Sequence, residues 1–240
     1  MRRFLFVGLA AVLLFGNTLM RAAEQGPDID ALLKQLSLDE KIGQMVQIDL
    51  SILVVPHSSP MRLDESKLRE ALVTNHVGAL FNNGEGNALS VAQWHAILKE
   101  CQDMVRADTP HKIPVFYGLD SIHGATYVLG STLFPQNIAM GATRDPDLVR
   151  RCAEISAMET RAAGIRWNFA PVLGVGRQPL WPRLPETFGE DTYLTTVLGA
   201  AEVRGLQGNN VDTPTTVAAC MKHYLGYTFP WTGKDRSPAL

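Results

Sequence analysis

Side chains that can hold a ligand through strong hydrogen bonds lie beyond three apolar runs of the sequence: Asp120, one or both of Arg177 and Arg183, Lys222 and His223. Each of these runs has the length and composition of a buried strand. In parallel α/β barrels the carboxyl ends of the strands form one rim, and this rim carries the active site. We therefore expect one carboxylate, one or two arginines, a lysine and a histidine to meet there. Charged groups make directional hydrogen bonds, so the set suits a neutral ligand that is rich in hydroxyl groups.

Taken singly, these residues have simpler explanations. Asp120 could cap a turn, Lys222 could pair with a carboxylate, and His223 could be a histidine of the core. A metal site is a further alternative, because Asp120, His123 and His223 could be ligands at strand ends. However, Lys222 would put a positive charge beside the ion, and the sequence has no His-x-His pair. We therefore predict neither a metal nor another cofactor.

Two glutamates of the loop that carries Arg183 also invite a catalytic interpretation. Glu186 and Glu190 lie four residues apart and could form the acid and nucleophile of a glycoside hydrolase. Negative charge is also favourable just before a helix begins, and a helix is predicted from residue 193. We favour this second interpretation for both glutamates.

The elements that must position the rim residues alternate along the chain. Apolar runs predict strands at 46–50, 77–81, 113–119, 165–169 and 217–224. Helical spacing predicts helices at 64–73, 90–105, 145–163 and 193–206, preceded by a helix that begins with the capping box of Ser37 and Glu40. This alternation predicts an α/β fold with a parallel sheet.

The number of these units predicts an incomplete barrel. A closed (β/α)8 barrel of the TIM type needs about 250 residues. With its long loops, this chain has room for about the first five strand–helix units, as a single domain over residues 24–240. A self-sufficient open sheet is the alternative.

Composition limits the possible partners. The formal net charge of −2 argues against nucleic acid, because phosphate binding needs a basic surface. Cys101, Cys152 and Cys220 cannot all pair within one chain. Free buried thiols are the favoured interpretation, and one disulfide with a spare thiol is the alternative.

The first residues predict export. Arg2 and Arg3 precede the apolar run 4–15, and the small residues Ala22 and Ala23 follow. This order is typical of a secretory signal peptide at residues 1–23, with an uncleaved anchor as the alternative. We expect a secreted or lysosome-like location, and no membrane association after cleavage.

Five motifs in a fixed order indicate a family. They are YGLDSIHG at 117–124, LFPQNIAMGAT at 133–143, FAPV at 169–172, ETFGED at 186–191 and MKHY at 221–224. Together they resemble the N-terminal barrel domain of glycoside hydrolase family 3, of the β-glucosidase and exo-β-glucanase type. The resemblance runs from about residue 30 to the last residue.

The resemblance implies a substrate and the roles of several residues. Members are retaining exo-glycosidases that remove a β-linked sugar, glucose by default, from a non-reducing end of an oligosaccharide or β-glucoside. The family's sugar-binding aspartate matches Asp120, and its Lys-His pair matches Lys222 and His223. Its arginine matches Arg183, although Pro182 stands where the family has glycine. His123 matches a position with a less defined, structural role.

One family motif has no counterpart in these 240 residues. The nucleophilic aspartate belongs to a Ser-Asp-Trp-like motif on a later strand, and the acid/base glutamate follows later still. Neither is found here, so we predict no catalytic residue in the chain and no hydrolysis by the chain alone. A sugar-binding fragment without catalysis is the alternative to a glycosidase.

Overall fold

The computed structural model describes residues 28–83 and 87–239, so the predicted signal peptide lies outside the described residues. A single sheet of five parallel strands organises the described chain. The strands are β1 (Gln47–Asp49), β2 (Ala79–Phe81), β3 (Phe116–Leu119), β4 (Trp167–Asn168) and β5 (Ala218–Ala219). They lie in chain order, and each pairs with the next. This is the predicted α/β architecture of the first five barrel units.

Helices connect consecutive strands, as parallel pairing requires. The helices are α1 (Ile29–Gln35), α2 (Leu38–Gln44), α3 (Glu65–Arg69), α4 (Val91–Asp108), α5 (Asn137–Thr143), α6 (Pro146–Ala162) and α7 (Thr192–Gln207). A π-turn over Glu70–Thr74 continues α3, and short 3-10 turns lie at Leu50–Leu53 and Leu184–Glu186. Helices α6 and α7 pack against each other on the second half of the sheet.

The predicted helix starts have side-chain caps. Ser37 and Glu40 form the predicted capping box, in which each side chain accepts a hydrogen bond from the other residue's backbone N–H. At the start of α6, Asp145 accepts from the N–H of Leu148, and Pro146 occupies the first helical position. These contacts satisfy backbone donors that have no partner inside the helix, so the sequence alone determined where these helices begin.

The largest hydrophobic cluster lies between β1–β3 and their helices. Trp94 of α4 is fully buried and meets the ring of Tyr117 edge to face, with centroids 5.7 Å apart. The Trp94 indole N–H also donates to the carbonyl of Tyr127 at 2.8 Å. Helix α4 therefore fixes both β3 and the loop that follows it.

Several boundaries differ from the sequence prediction. The strand predicted at 217–224 is limited to Ala218–Ala219, because the chain beyond it leaves the ladder and forms turns. Helix α3 ends four residues earlier than predicted and gives way to the π-turn. Helices α1 and α5 were not predicted. They are only seven residues each, too short for a clear apolar periodicity.

Strands β1 and β5 form the two edges of the described sheet. Beyond β5, apolar side chains are exposed, with Tyr224 at 92% and Leu225 at 81% of their full accessible surface. All three cysteines are free thiols, but of the buried thiols expected from the sequence only Cys101 is buried, and Cys152 and Cys220 are partly exposed. Within residues 28–83 and 87–239, no helix has the length and apolar character needed to cross a bilayer.

Candidate functional site

The carboxyl ends of β3 and β5 bring two of the predicted rim residues into direct contact. Asp120 follows β3, and its Oδ1 accepts a hydrogen bond from Lys222 Nζ at 2.5 Å. The side chains are 29% and 12% exposed, so the pair is largely withdrawn from water. The two residues are 102 positions apart in the chain. Parallel pairing through β4 closes this separation.

Asn82, at the end of β2, completes the setting of Asp120 and was not predicted. Its amide Nδ2 donates to Asp120 Oδ2 at 2.8 Å, and its Oδ1 accepts from the Asp120 backbone N–H at 3.0 Å. Asn82 has a φ of 46°, in the left-handed region that asparagine tolerates better than most residues. The sequence signal was an Asn-Asn-Gly stretch after an apolar run, which also fits an ordinary turn.

A second buried amide fixes the loop that begins at Asp120. Asn168 of β4 accepts from the N–H of Ser121 at 2.9 Å and donates to its carbonyl at 3.0 Å. The hydroxyl of Thr160 donates to the Ser121 hydroxyl at 3.0 Å. Each of these three residues is at least 95% buried. Buried polar groups that satisfy one another define a single geometry, so the backbone beside Asp120 is rigid.

Arg183 lies on the same rim and is held by Glu186. The guanidinium donates from Nε to Glu186 Oε1 at 2.8 Å and from Nη2 to Oε2 at 2.6 Å. This ion pair and its hydrogen bonds raise the pKa of Arg183 above its usual range. The helix-start interpretation of Glu186 is therefore wrong, because its carboxylate forms an ion pair with Arg183, three residues earlier in the chain. Helix α7 instead begins with Asp191 as its cap.

His223 is next to the arginine and is held as the neutral imidazole. Burial, together with the positive charges of Arg183 and Lys222, lowers its pKa to about 4. Its ring meets the Tyr227 ring edge to face at 4.5 Å. His223 Nδ1 is buried without a hydrogen-bond partner among the residues that the structure describes.

The segment beyond β5 closes one side of the rim. The Tyr227 hydroxyl donates to Asp235 Oδ1 at 2.6 Å, and the buried indole N–H of Trp181 donates to the same oxygen at 2.9 Å. Arg183 Nη1 lies 3.4 Å from the Tyr227 hydroxyl. Neither Tyr227 nor Asp235 was predicted. Both lie beyond β5, in a segment whose sequence has no regular spacing of apolar and polar residues.

His123 lies apart from this rim. Its Nδ1 is 2.9 Å from the carbonyl of Phe134, and its ring lines a small separate cavity with Ser121 and Glu202. Glu202 of α7 is buried, and desolvation raises its pKa to about 8. Its nearest polar partner is Asn137 Nδ2, at 3.5 Å. These contacts favour the structural role for His123.

The metal alternative does not fit the geometry. Asp120 Oδ1 is paired with the ammonium group of Lys222. This positive charge would repel a metal ion that Asp120 and the two histidines were to bind. Across the described segments, no cluster of three or more His, Cys, Asp or Glu residues is arranged to hold a metal ion.

The rim residues surround a cleft of about 430 Å³. Asp120, Arg183, Lys222 and His223 all line it, together with the aromatic side chains of Phe81, Phe169 and Tyr227. This volume is within the range of about 300–1,000 Å³ that is usual for small-molecule sites. The four residues predicted from the sequence are therefore brought together in one place.

The fold and cleft define an α/β barrel-type protein with a polar rim site. Residues 37–237 match the glycosyl hydrolase family 3 N terminal domain, and the chain belongs to this family. It is 41% identical to the lysosomal beta glucosidase of Dictyostelium discoideum over 88% of this chain and 27% of that protein. With the periplasmic beta-glucosidase of Salmonella typhimurium it shares 32% identity over 92% of this chain and 26% of that protein.

Solved structures show the same fold. A mutant beta-glucosidase from Listeria innocua in complex with laminaribiose superposes with a TM-score of 0.69, at 31% identity, over 89% of this chain and 28% of that one. The chain thus spans about a quarter of the length of these two curated relatives. The fold prediction of a partial family 3 barrel is confirmed.

Proposed function

We propose that the cleft binds the terminal, non-reducing β-linked glucosyl residue of an oligosaccharide or β-glucoside. The protein to which these residues belong is then a β-glucosidase-type retaining exo-glycosidase. The observation that carries the proposal is the meeting of Asp120, Lys222, Arg183 and His223 around one cleft. The names of the relatives, and the laminaribiose bound to one of them, support the choice of sugar.

The rim groups keep free hydrogen-bonding capacity for hydroxyl groups. Each Asp120 oxygen has one protein donor, and a carboxylate oxygen can accept a second hydrogen bond. Lys222 uses one of its three N–H donors on Asp120. Arg183 directs two of its five N–H groups to Glu186 and a third towards Tyr227. Adjacent sugar hydroxyls, which both donate and accept, match this mixture.

Charge balance also favours a neutral ligand. Asp120 is paired with Lys222, Arg183 is paired with Glu186, and His223 is neutral down to a pH of about 4. These charges therefore cancel, and so do those of Arg236, which also lines the cleft, and Asp235, whose Oδ2 is 3.8 Å from Arg236 Nε. A phosphorylated or carboxylated ligand would need a net positive site. A neutral sugar gains charge-assisted hydrogen bonds from these groups without adding an unpaired charge.

For these residues by themselves we expect binding without hydrolysis. A retaining mechanism needs two carboxyl groups about 5–5.5 Å apart, one as nucleophile and one as acid/base. Asp120, which lines the cleft, and Glu186, which holds Arg183, are each paired with a basic side chain. Neither is therefore suited to attack an anomeric carbon. This arrangement favours sugar binding as the second candidate function for the isolated chain.

The test is an isothermal titration calorimetry experiment, in which the 240-residue chain is titrated with glucose or with laminaribiose. We expect one sugar site per chain. Asp120→Asn should weaken binding at least about tenfold, since a hydrogen bond to a charged group contributes about 1.5–3 kcal/mol. The matched control is Asp212→Asn, which removes an exposed carboxylate that pairs with Arg166 away from the cleft.

If Asp120→Asn and Asp212→Asn weaken sugar binding equally, or if Asp120→Asn binds as well as the unchanged chain, Asp120 does not contribute to the sugar site. In the enzyme that contains this domain, the same change should lower turnover of an aryl β-glucoside by a comparable or larger factor. Intact mass of the protein purified from its source decides whether such an enzyme exists.

Export completes the proposal. The leader-like residues 1–23 and the lysosomal and periplasmic relatives support a secreted or lysosome-like location. The mature domain would then begin near Glu24. Sequencing the N-terminus of the native protein tests this, and a protein that still begins at Met1 would contradict it.

A further inference from the structure

On the side of the cleft beyond β5, one carboxylate oxygen accepts hydrogen bonds from two aromatic side chains. Asp235 Oδ1 accepts hydrogen bonds from the Tyr227 hydroxyl at 2.6 Å and from Trp181 Nε1 at 2.9 Å. Trp181 belongs to the long loop after β4, and Tyr227 belongs to the segment after β5. Asp235 thus links the loop after β4 to the segment after β5, alongside backbone-directed hydrogen bonds from Gln178 to Pro230 and from Thr228 to Val175.

Tyr227 passes this connection on to two residues of the cleft. Its ring lies 5.5 Å from Arg183 Cζ, in cation–π contact, and its hydroxyl is 3.4 Å from Arg183 Nη1. On another side, the ring packs edge to face against His223 at 4.5 Å. One aromatic side chain therefore limits the movement of a guanidinium and an imidazole together.

Asp235 is well suited to this task because its donors come from rigid groups. Trp181 is 1% exposed and meets the Tyr227 ring edge to face at 5.3 Å. Its indole can therefore move little. The hydrogen bond from Tyr227, followed by that from Trp181 and the nearby arginines, holds the pKa of Asp235 below its usual range. The carboxylate accordingly remains a charged acceptor at neutral pH.

We propose that Asp235 is a positioning residue: through the Tyr227 hydroxyl it orients Arg183 and His223 for sugar binding. Asp235 does not touch the sugar. The inference rests on the sugar-binding function proposed above. It adds a remote carboxylate, 52 positions beyond Arg183, on which the geometry of the cleft depends.

The first measurement is the affinity of the 240-residue chain for laminaribiose. We expect Asp235→Ala to weaken it about tenfold, a typical effect of losing one charged hydrogen bond. Asp235→Asn, which retains an acceptor oxygen, should bind within about threefold of the unchanged chain. Asp212→Ala is the matched control, and it should change nothing.

A double-mutant cycle separates positioning from a general loss of structure. Tyr227→Phe retains the ring and removes only the hydroxyl, so it perturbs the packing least. If Asp235 acts through that hydroxyl, the double variant should bind no more than about twofold more weakly than Asp235→Ala. Losses that multiply would overturn the proposal, as would normal affinity in Asp235→Ala.

A measurement without sugar keeps the two proposals distinguishable. The pKa of His223, followed by NMR, is set by burial and by the facing groups Arg183, Lys222, Glu186 and Asp120. Releasing Tyr227 should admit water and raise this pKa in Asp235→Ala, and leave it unchanged in Asp235→Asn. If no sugar binds but the pKa rises, the proposed function fails and the positioning role stands. If sugar binds, and Asp235→Ala changes neither the sugar affinity nor the pKa of His223, the positioning role fails and the proposed function stands.

Discussion

The region packed around β1–β3 and the rim beyond β3–β5 are held in place by different interactions. In the first region, Trp94, Leu80 and Leu119 are fully buried in one hydrophobic cluster. In the rim, Asp120 and Arg183 are held mainly by ion pairs and hydrogen bonds. Apolar packing is nondirectional, whereas hydrogen bonds require a defined geometry. Changes in the first region should therefore alter stability, and changes in the rim should alter binding.

The largest effect is expected from Trp94→Ala. This change removes a fully buried ring, its contact with Tyr117 and a buried hydrogen bond. It should lower the free energy of unfolding by roughly 3–5 kcal/mol, measured by urea denaturation. Val91→Ala, a partly exposed position on the same helix, is the control and should cost far less. A lost affinity with intact stability would abolish the contrast between the two regions.

Glu202, which is buried behind the rim, should make the free energy of unfolding depend on pH. Its pKa of about 8 in the folded state lies above the ordinary value of 4.5. Between these values the unfolded chain loses the proton that the folded state keeps, so stability falls as pH rises. Between pH 5 and 7 this amounts to roughly 2–3 kcal/mol. Glu202→Gln should flatten the profile of denaturation midpoints. An unchanged slope in that variant would show that Glu202 ionises normally.

His223 should have the opposite dependence on the acid side. Its folded pKa of about 4 is below the ordinary 6.5, so in that interval the unfolded chain binds the extra proton. Stability should therefore decrease as pH falls from about 6.5 towards 4. His223→Gln should remove this part of the acid destabilisation. Laminaribiose affinity should also be constant between about pH 5 and 7, since the ring stays neutral there. A step in affinity near pH 6.5 would contradict this.

The smallest effect is expected for an ion pair in neither region. Arg166 and Asp212 are 3.1 Å apart, with side chains 61% and 78% exposed. Such pairs contribute about 0–1 kcal/mol, and salt screens them. Asp212→Asn should therefore change neither the melting midpoint nor sugar affinity appreciably. A clear loss of affinity would show that the contrast between rim and surface is not sharp, and would disqualify this control.

Much of the framework could be predicted from local sequence. Strand positions followed from apolar runs, and the capping box of Ser37 and Glu40 followed from its spacing, because both depend on nearby residues. The meeting of Asp120 and Lys222 followed from the rule that parallel strands share one carboxyl edge. These features need no detail of how side chains pack.

The partners of the rim residues could not be predicted in the same way. Glu186 was assigned to a helix start, yet its carboxylate binds Arg183. Asn82 and Asp235 have no distinctive spacing, because their contacts are made across 38 and 8 positions through loops of irregular shape. Loop conformations have no periodicity from which a partner could be deduced.

The sequence by itself determined the α/β class, the order of the five strands and the four residues that meet at the rim. Tertiary structure alone decided which charges cancel, which imidazole stays neutral and which remote carboxylate holds the arginine. The physical reason is one of range. Backbone propensity and capping act over a few residues. Desolvation and ion pairing depend on groups brought together from distant parts of the chain.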